Sequence, residues 1–214
     1  DDMEIKRFEF NLFWENTYLI WDGATREAAV ADPGMMSPDE YDEIVNFISS
    51  NGLAPKFILL THAHVDHTLG VDFLKKKYGI PVIGHKDDAP LGQMRPQQAK
   101  MFHLPVDPEP LEPDRFISDG SKLKLGEEII KVIATPGHSL GGVCYYIPES
   151  GFILTGDTLF QGSIGRTDLL GGNQRQLIKS IKNKLMKLPA DTVVYPGHGP
   201  ATTIGREAVS NPFL

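Results

Sequence analysis

Apolar and polar positions alternate over Glu4 to Phe10 and over Asn16 to Asp22, and a short apolar run follows at Glu27 to Ala31, so the chain opens as a β meander. Asp32-Pro33-Gly34 then breaks the third strand. Ser37-Pro38-Asp39-Glu40 places a capping serine, a proline at the first helical position and a glutamate at the third, a capping box. Tyr41, Ile44, Val45 and Ile48 form the apolar stripe of the helix behind it, and Gly52 ends it. Lys56 to Leu60 is a continuous apolar run of strand length, as expected for a strand covered on both faces. Leu69 to Tyr78 reads as a helix stopped by Gly79, and Ile80 to Gly84 as another strand.

From Asp87 to Asp114 the periodicity fails. Six prolines and a Gln-rich centre leave room for one short helix, and part of the segment is expected to form a rim or lid beside a site. Strand patterns return at Ser121 to Leu125, Glu128 to Thr135, Gly142 to Ile147 and Gly151 to Thr155. An amphipathic helix is expected over Asn173 to Leu188, and a short strand over Thr192 to Tyr195. Each half therefore runs from strands into helix and strand again. Two such halves predict an α/β (α+β) chain folded as a four-layer αββα sandwich.

Composition narrows the function. Length and a 41% hydrophobic content suit one globular domain, taken as residues 1–214, with no role for Asp1-Asp2. A formal net charge of −7 speaks against a nucleic-acid partner, and Lys75-Lys76-Lys77 reads as a solvated helix face. The single cysteine, Cys144, permits no internal disulfide and suits a small core position. No signal peptide and no apolar run of membrane-crossing length is apparent, so no membrane partner and a cytoplasmic location are expected. Oligomeric state has no signature in the pattern.

The chemistry gathers in Thr61-His62-Ala63-His64-Val65-Asp66-His67, directly after the Lys56 to Leu60 run. In extended chain a spacing of two points His62 and His64 to one side, towards one metal ion. A helical curl beyond them swings Asp66 and His67 towards a second. Three later stretches, Pro136-Gly137-His138-Ser139, Thr155-Gly156-Asp157-Thr158 and Pro196-Gly197-His198-Gly199, each end a strand with a ligand-type side chain among glycines. The expected inventory is His62, His64 and His138 for one ion, Asp66, His67 and His198 for the other, and Asp157 between them. Five of the seven histidines are spent on it. Two divalent ions are expected, zinc first, with iron and manganese also accepting these donors. No Gly-x-Ser-x-Gly elbow supports a serine nucleophile.

The His-x-His-x-Asp-His run with His138, Asp157 and His198 resembles the metallo-β-lactamase-fold hydrolases, and the likeness spans nearly the whole chain. The runs Gly156 to Phe160, Gly162 to Asp168 and Thr202 to Leu214 look like the short glyoxalase II-like group. This resemblance implies the αββα fold and a hydrolase of a small-molecule substrate. It implies cleavage of S-lactoylglutathione or a related acyl-thiol by a metal-bridging hydroxide, with Asp66 and Asp157 as catalytic carboxylates and Asp66 orienting or deprotonating the attacking water. The full-length enzymes carry a C-terminal helical domain that holds glutathione, which this chain is expected to lack. Their lysine and tyrosine near the thiol carrier are matched in position by Arg166 and Asp168.

Some roles stay open between two readings. Arg166 is either a substrate contact or the salt-bridge partner of Asp168. Asp32 either orients a ligand histidine or forms the turn before Pro33. Ser139 is a candidate hydroxyl either for substrate or for support of a ligand from behind, and His85 and His103 read as surface or loop residues. The competing functions are an iron-dependent persulfide dioxygenase, a lactonase or β-lactamase, and a non-catalytic metal-binding protein.

Overall fold

The computed structural model describes residues 2–214, so Asp1 lies outside the described residues. Two six-stranded sheets pack face to face. The first contains β1 (Met3–Phe10), β2 (Glu15–Asp22), β3 (Glu27–Ala31), β4 (Ala54–Leu59), β5 (Val82–His85) and β6 (Arg115–Ile117), paired in that order. The second contains β7 (Lys122–Leu125), β8 (Glu128–Ala134), β9 (Val143–Ile147), β10 (Phe152–Gly156), β13 (Val193–Pro196) and β14 (Thr202–Thr203). A small hairpin of β11 (Leu159–Phe160) and β12 (Ser163–Ile164) leaves the end of β10.

Period-two alternation builds the layers. In β2, Tyr18 and Ile20 enter the inter-sheet core with Phe57, Leu59, Tyr145 and Leu154, while Leu19 and Trp21 face the opposite layer. That outer layer is α1 (Pro38–Ser50) and α2 (Val71–Tyr78), whose Ile44, Ile48 and Leu74 are buried against the first sheet. On the second sheet, Cys144, Ile153 and Val194 pack against α5 (Gln174–Ser180) and α6 (Ile204–Ser210). The chain is thus the αββα sandwich that the two-halves pattern predicts.

Direction matters for the site. Strands β3, β4, β5 and β6 are parallel, as are β10 and β13. Parallel neighbours require crossovers, which α1, α2 and α5 supply, and the carboxyl ends of these strands share one edge of the sandwich.

Several local expectations are corrected. The 87–114 segment holds two short helices instead of one, α3 (Ala89–Gln93) and α4 (Arg95–Met101), and then runs without regular structure to Asp114. The second half also carries β11, β12, β14 and α6, elements too short for periodicity to reveal. Over 173–188 the α-helix stops at Ser180 and continues as one π turn, Ile181–Leu185. The wider coil keeps Leu177, Ile181 and Leu185, all fully buried, on one line against the sheet. The capping box is also extended. Ser37 Oγ accepts from the Glu40 amide, but Glu40 reaches past Ser37 to accept from the Met36 and Asn11 amides, both at 2.8 Å.

Asp22 joins the two sheets at the end remote from these crossovers. Its carboxylate accepts from the Ala24 amide at 3.0 Å in its own turn and from Glu127 at 2.6 Å in the β7–β8 turn. A Cβ at Gly126 would overlap that carboxylate, so glycine is required there, at φ +58°. The amides of Ala24 and Glu127 hold the carboxyl below its usual range. Asp22→Ala is expected to cost about 1–3 kcal/mol in denaturant unfolding at neutral pH. With a depressed folded pKa, the Asp22 contribution is complete above the unfolded value of about 3.9 and is lost as pH falls through the folded one. The gap between wild type and variant should therefore close in acid, and a gap that stays constant with pH would refute the assignment.

Candidate metal centre

All seven predicted ligand residues lie at the shared edge, on loops that follow β4, β8, β10 and β13. Val65–His67 forms a single 3₁₀ turn. It turns Asp66 and His67 towards a second set of donors, although the His67 ring stays 4.1 Å from that of His62, and the structure gathers the seven residues into two groups. His62, His64 and His138 form one and Asp66, His67, Asp157 and His198 the other, with the donor atoms of each group within 4.8 Å of one another. Asp157 lies between the groups: its Oδ2 is 3.7 Å from His62 Nε2, 3.6 Å from His138 Nε2 and 3.5 Å from His198 Nε2. Its Oδ1 is 3.2 Å from His67 Nε2.

Four ring orientations are set from behind. His62 Nδ1 lies 3.0 Å from Thr61 Oγ1, His67 Nδ1 2.9 Å from Asp32 Oδ2, His138 Nδ1 2.7 Å from the Arg166 carbonyl and His198 Nδ1 3.1 Å from the Phe13 carbonyl. Each Nδ1 thus faces an outward partner and each Nε2 faces inward, the arrangement that suits imidazole as a metal ligand. His64 is the inverse, with Nδ1 2.9 Å from His138 Nε2. The buried His62 Nε2, His67 Nε2 and Asp157 Oδ1 have no hydrogen-bond partner. Orphaned buried acceptors beside a buried carboxylate are costly unless a cation meets them, so the donor set fits divalent metal ions.

The electrostatics agree. Burial, followed by neighbouring His67, pushes His62 well below the usual imidazole range, and burial with His138 takes His64 down to about 4. Both are neutral donors near pH 7. Burial opposes charge on His198, but its hydrogen bonds to Asp157 and Asp66 raise it to about 10. Burial would likewise raise Asp157, yet the charge of neighbouring His67 and the hydrogen bond from His198 hold it well below the carboxylate range. Protons on one side of the centre balance the carboxylates, a task that bound cations would take over.

Asp32 sits at φ +50° in a bend. It ends β3, and it accepts from Thr61 through both the amide, at 2.8 Å, and the hydroxyl, at 2.6 Å, besides meeting His67. Arg166 forms a bidentate pair with Asp168, at 2.7 and 2.9 Å, and also lines the cavity above the centre. Ser139 is buried, and its hydroxyl donates to Asp88 at 3.0 Å. Cys144 lies in the core, its thiol pushed by burial to about 12. His85 and His103 stand outside both ligand groups.

Four polar residues missed in the sequence hold the ligand loops. Asp88 is buried and accepts from the Ala63 amide, between His62 and His64, and from the Gly141 amide and Ser139 hydroxyl of the His138 loop. Gln98 accepts from the Val65 amide at 3.0 Å. Arg95, fully buried, donates to the Thr68 and Glu109 carbonyls and to Asp72. Glu15, fully buried with a pKa raised by burial, stands 3.4 Å behind His67. Asp88 had a usable signal, since it follows an apolar strand as the ligands do; Gln98 and Arg95 had none. Close packing adds a limit at Gly165, where a Cβ would overlap the Asp157 carbonyl oxygen.

A cavity of about 330 Å³ opens over the centre. His64, Asp66, His138, Asp157 and His198 contribute to its lining, with Phe13, Phe102, Phe160, Leu169 and Arg166.

Comparison with known proteins gives a consistent picture. The family model of the Metallo-beta-lactamase superfamily matches residues 14–198. The probable metallo-hydrolase YqgX of Bacillus subtilis is 40% identical over 99% of this chain and 98% of its own length. Hydroxyacylglutathione hydrolase GloC of Haemophilus influenzae is 39% identical over the same shares of the two chains. Among solved structures, BLEG-1 B3 metallo-beta-lactamase superposes with a TM-score of 0.88 at 36% identity, covering 98% of this chain and 99% of that one. TTHA1623 in a di-iron-bound form superposes with 0.87 at 39% identity, covering 98% and 100%.

Because Asp88 bridges the two loops that carry His62, His64 and His138, Asp88→Ala is expected to weaken metal binding at that group by about 10–100-fold. Competitive titration against a chelator, with elemental analysis after dialysis, should find one ion lost before the other. Unchanged affinity and stoichiometry would count against the bridge.

Proposed function

The chain belongs to the metallo-beta-lactamase superfamily and is a metal-dependent hydrolase, and we propose that it cleaves thioesters such as S-lactoylglutathione or a related acyl-thiol, as a glyoxalase II-like enzyme. The observation that carries this reading is the placement of Asp157 between two donor groups at the base of one open cavity. A 39% identical relative named for hydroxyacylglutathione hydrolysis supports the choice of thioester.

Two divalent ions bound there, zinc by preference, would supply Lewis acidity and a water-derived nucleophile at neutral pH. The side chains do the rest. Asp66 lies within 3.1 Å of His198 Nε2 and 3.4 Å of His67 Nε2 and lines the cavity, where it orients the attacking water and accepts its proton. Asp157 holds the two groups in register. The hydrogen bond from His138 to the Arg166 carbonyl couples that ligand to the rim, and Arg166 offers its remaining donors to a substrate carboxylate. A departing thiol with a pKa near about 8.5 leaves as thiolate without a proton donor, so the lack of an obvious general acid among the lining residues is chemically consistent.

The likeness to BLEG-1 favours a second reading, β-lactam hydrolysis, in which the same carboxylates serve an amide. One panel separates the two. Metal-replete protein is expected to hydrolyse S-lactoylglutathione with a β-lactam as the poorer substrate, and Asp66→Asn is expected to lower kcat by at least about a hundredfold. Turnover of the β-lactam alone selects the second reading. Oxygen uptake with a glutathione persulfide and no thioester cleavage would select the dioxygenase instead.

A further inference from the structure

We infer that the cavity serves acyl-thiols whose acyl group is apolar and whose thiol carrier brings little negative charge. This rests on the thioester reading and names the substrate class for it. Phe13 in the β1–β2 turn, Phe102 at the end of α4 and Phe160 in β11 line the cavity together with Leu169. Phe13 and Phe102 meet edge to face at 5.4 Å between ring centroids, and Phe160 approaches His198 at 6.2 Å. Every other lining residue except Arg166 belongs to the ligand set, so a substrate whose carbonyl reaches the metal centre has apolar surface for its remainder.

The wall is fastened in place. The Phe13 carbonyl accepts from the ligand His198, and its amide donates to Asn11, whose side chain in turn donates to the Asp66 carbonyl. Phe102 closes a helix anchored by Arg95 and Gln98. Phe160 belongs to a hairpin whose Gly162 amide donates to the buried Glu207. Trp14, Met101 and Leu170, each next in sequence to a lining residue, are among the most exposed large apolar side chains.

Charge recognition is the missing component. Among the described residues Arg166 is the one lysine or arginine in the lining, and its Nε and Nη2 are already taken by Asp168. A carrier bearing several carboxylates or phosphates finds on this wall only the remaining donors of Arg166, enough for one of its charges, and the chain's net charge of −7 does not attract it.

The experiment compares kcat/KM of the metal-loaded protein for N-acetylcysteamine thioesters of acetate, butyrate, hexanoate and phenylacetate with that for S-lactoylglutathione. Full burial of a methylene corresponds to about fourfold, so at least about a tenfold rise from acetyl to hexanoyl is expected, with hexanoyl above S-lactoylglutathione. Phe102→Leu and Phe160→Ala should each lower the hexanoyl-to-acetyl ratio severalfold, mainly through KM. That ratio is internal to each variant and so does not depend on how much of the variant folds. A flat or falling series with S-lactoylglutathione preferred overturns the apolar class and leaves the thioester reading standing. Failure to cleave any thioester overturns the reading itself.

Discussion

A carboxylate buried among imidazoles is the constraint around which this molecule is arranged. Four histidine nitrogens surround Asp157 within 3.7 Å, and the neighbouring carboxylates in turn raise His67 and His198 against the effect of burial. Such a cluster is stable in one geometry, since a displaced ring leaves either an unpaired charge or an orphaned acceptor. The surrounding structure supplies that geometry by giving ring nitrogens a second, outward partner. Those partners are the Thr61 hydroxyl, Asp32 and the carbonyls of Arg166 and Phe13, and none of them occupies the inward side.

The donors come from both halves of the chain, so the halves must be joined where the centre lies. The joints are backbone and buried hydroxyl hydrogen bonds. Val143 donates to the Thr61 carbonyl at 2.8 Å, Tyr145 Oη to the Leu60 carbonyl at 2.6 Å, and Asn16 to the Gly197 carbonyl at 2.7 Å. Tyr18 Oη reaches Pro196. Each of these lies within two residues of a ligand or on the strand that leads to one. Asp22 performs the same office at the far end of the sandwich. Hydrophobic packing between the sheets is non-directional and would tolerate sliding; these bonds fix the register that the donors need.

Much of this was readable in the chain because it follows from short-range rules. Alternation located the long strands, and the failure of alternation located 87–114. The candidate ligands were conspicuous since four crowd into 62–67 directly after an apolar run and the other three stand beside glycines at strand ends. The residues that hold the ligands were not conspicuous for an equally physical reason. Asp88 and Gln98 act on backbone amides 25 and 33 positions away, and a backbone amide has no sequence signature. Ser139 could be read two ways for the same reason, because its partner Asp88 lies 51 positions away. Short elements such as β11, β12 and the π turn owe their form to packing against buried neighbours, which local propensity does not encode.

The 86–104 stretch shows how one irregular segment can serve two functions without being mobile. Its inner side is polar and buried: Asp88, Arg95 and Gln98 bind both ligand loops and the start of α2. Its end is apolar and faces the cavity through Phe102. A lid that opened by swinging this segment would have to break the Ala63, Val65 and Gly141 hydrogen bonds together, exposing the groups that space the ligands. Each such bond left unmade in a buried setting costs about 1–3 kcal/mol, so three at once would cost a large part of the stability of an ordinary domain. Substrate access is therefore better served by the cavity that Phe13, Phe102 and Leu169 help to line, with adjustment confined to side-chain rotation. That separation keeps the metal geometry independent of what the wall admits.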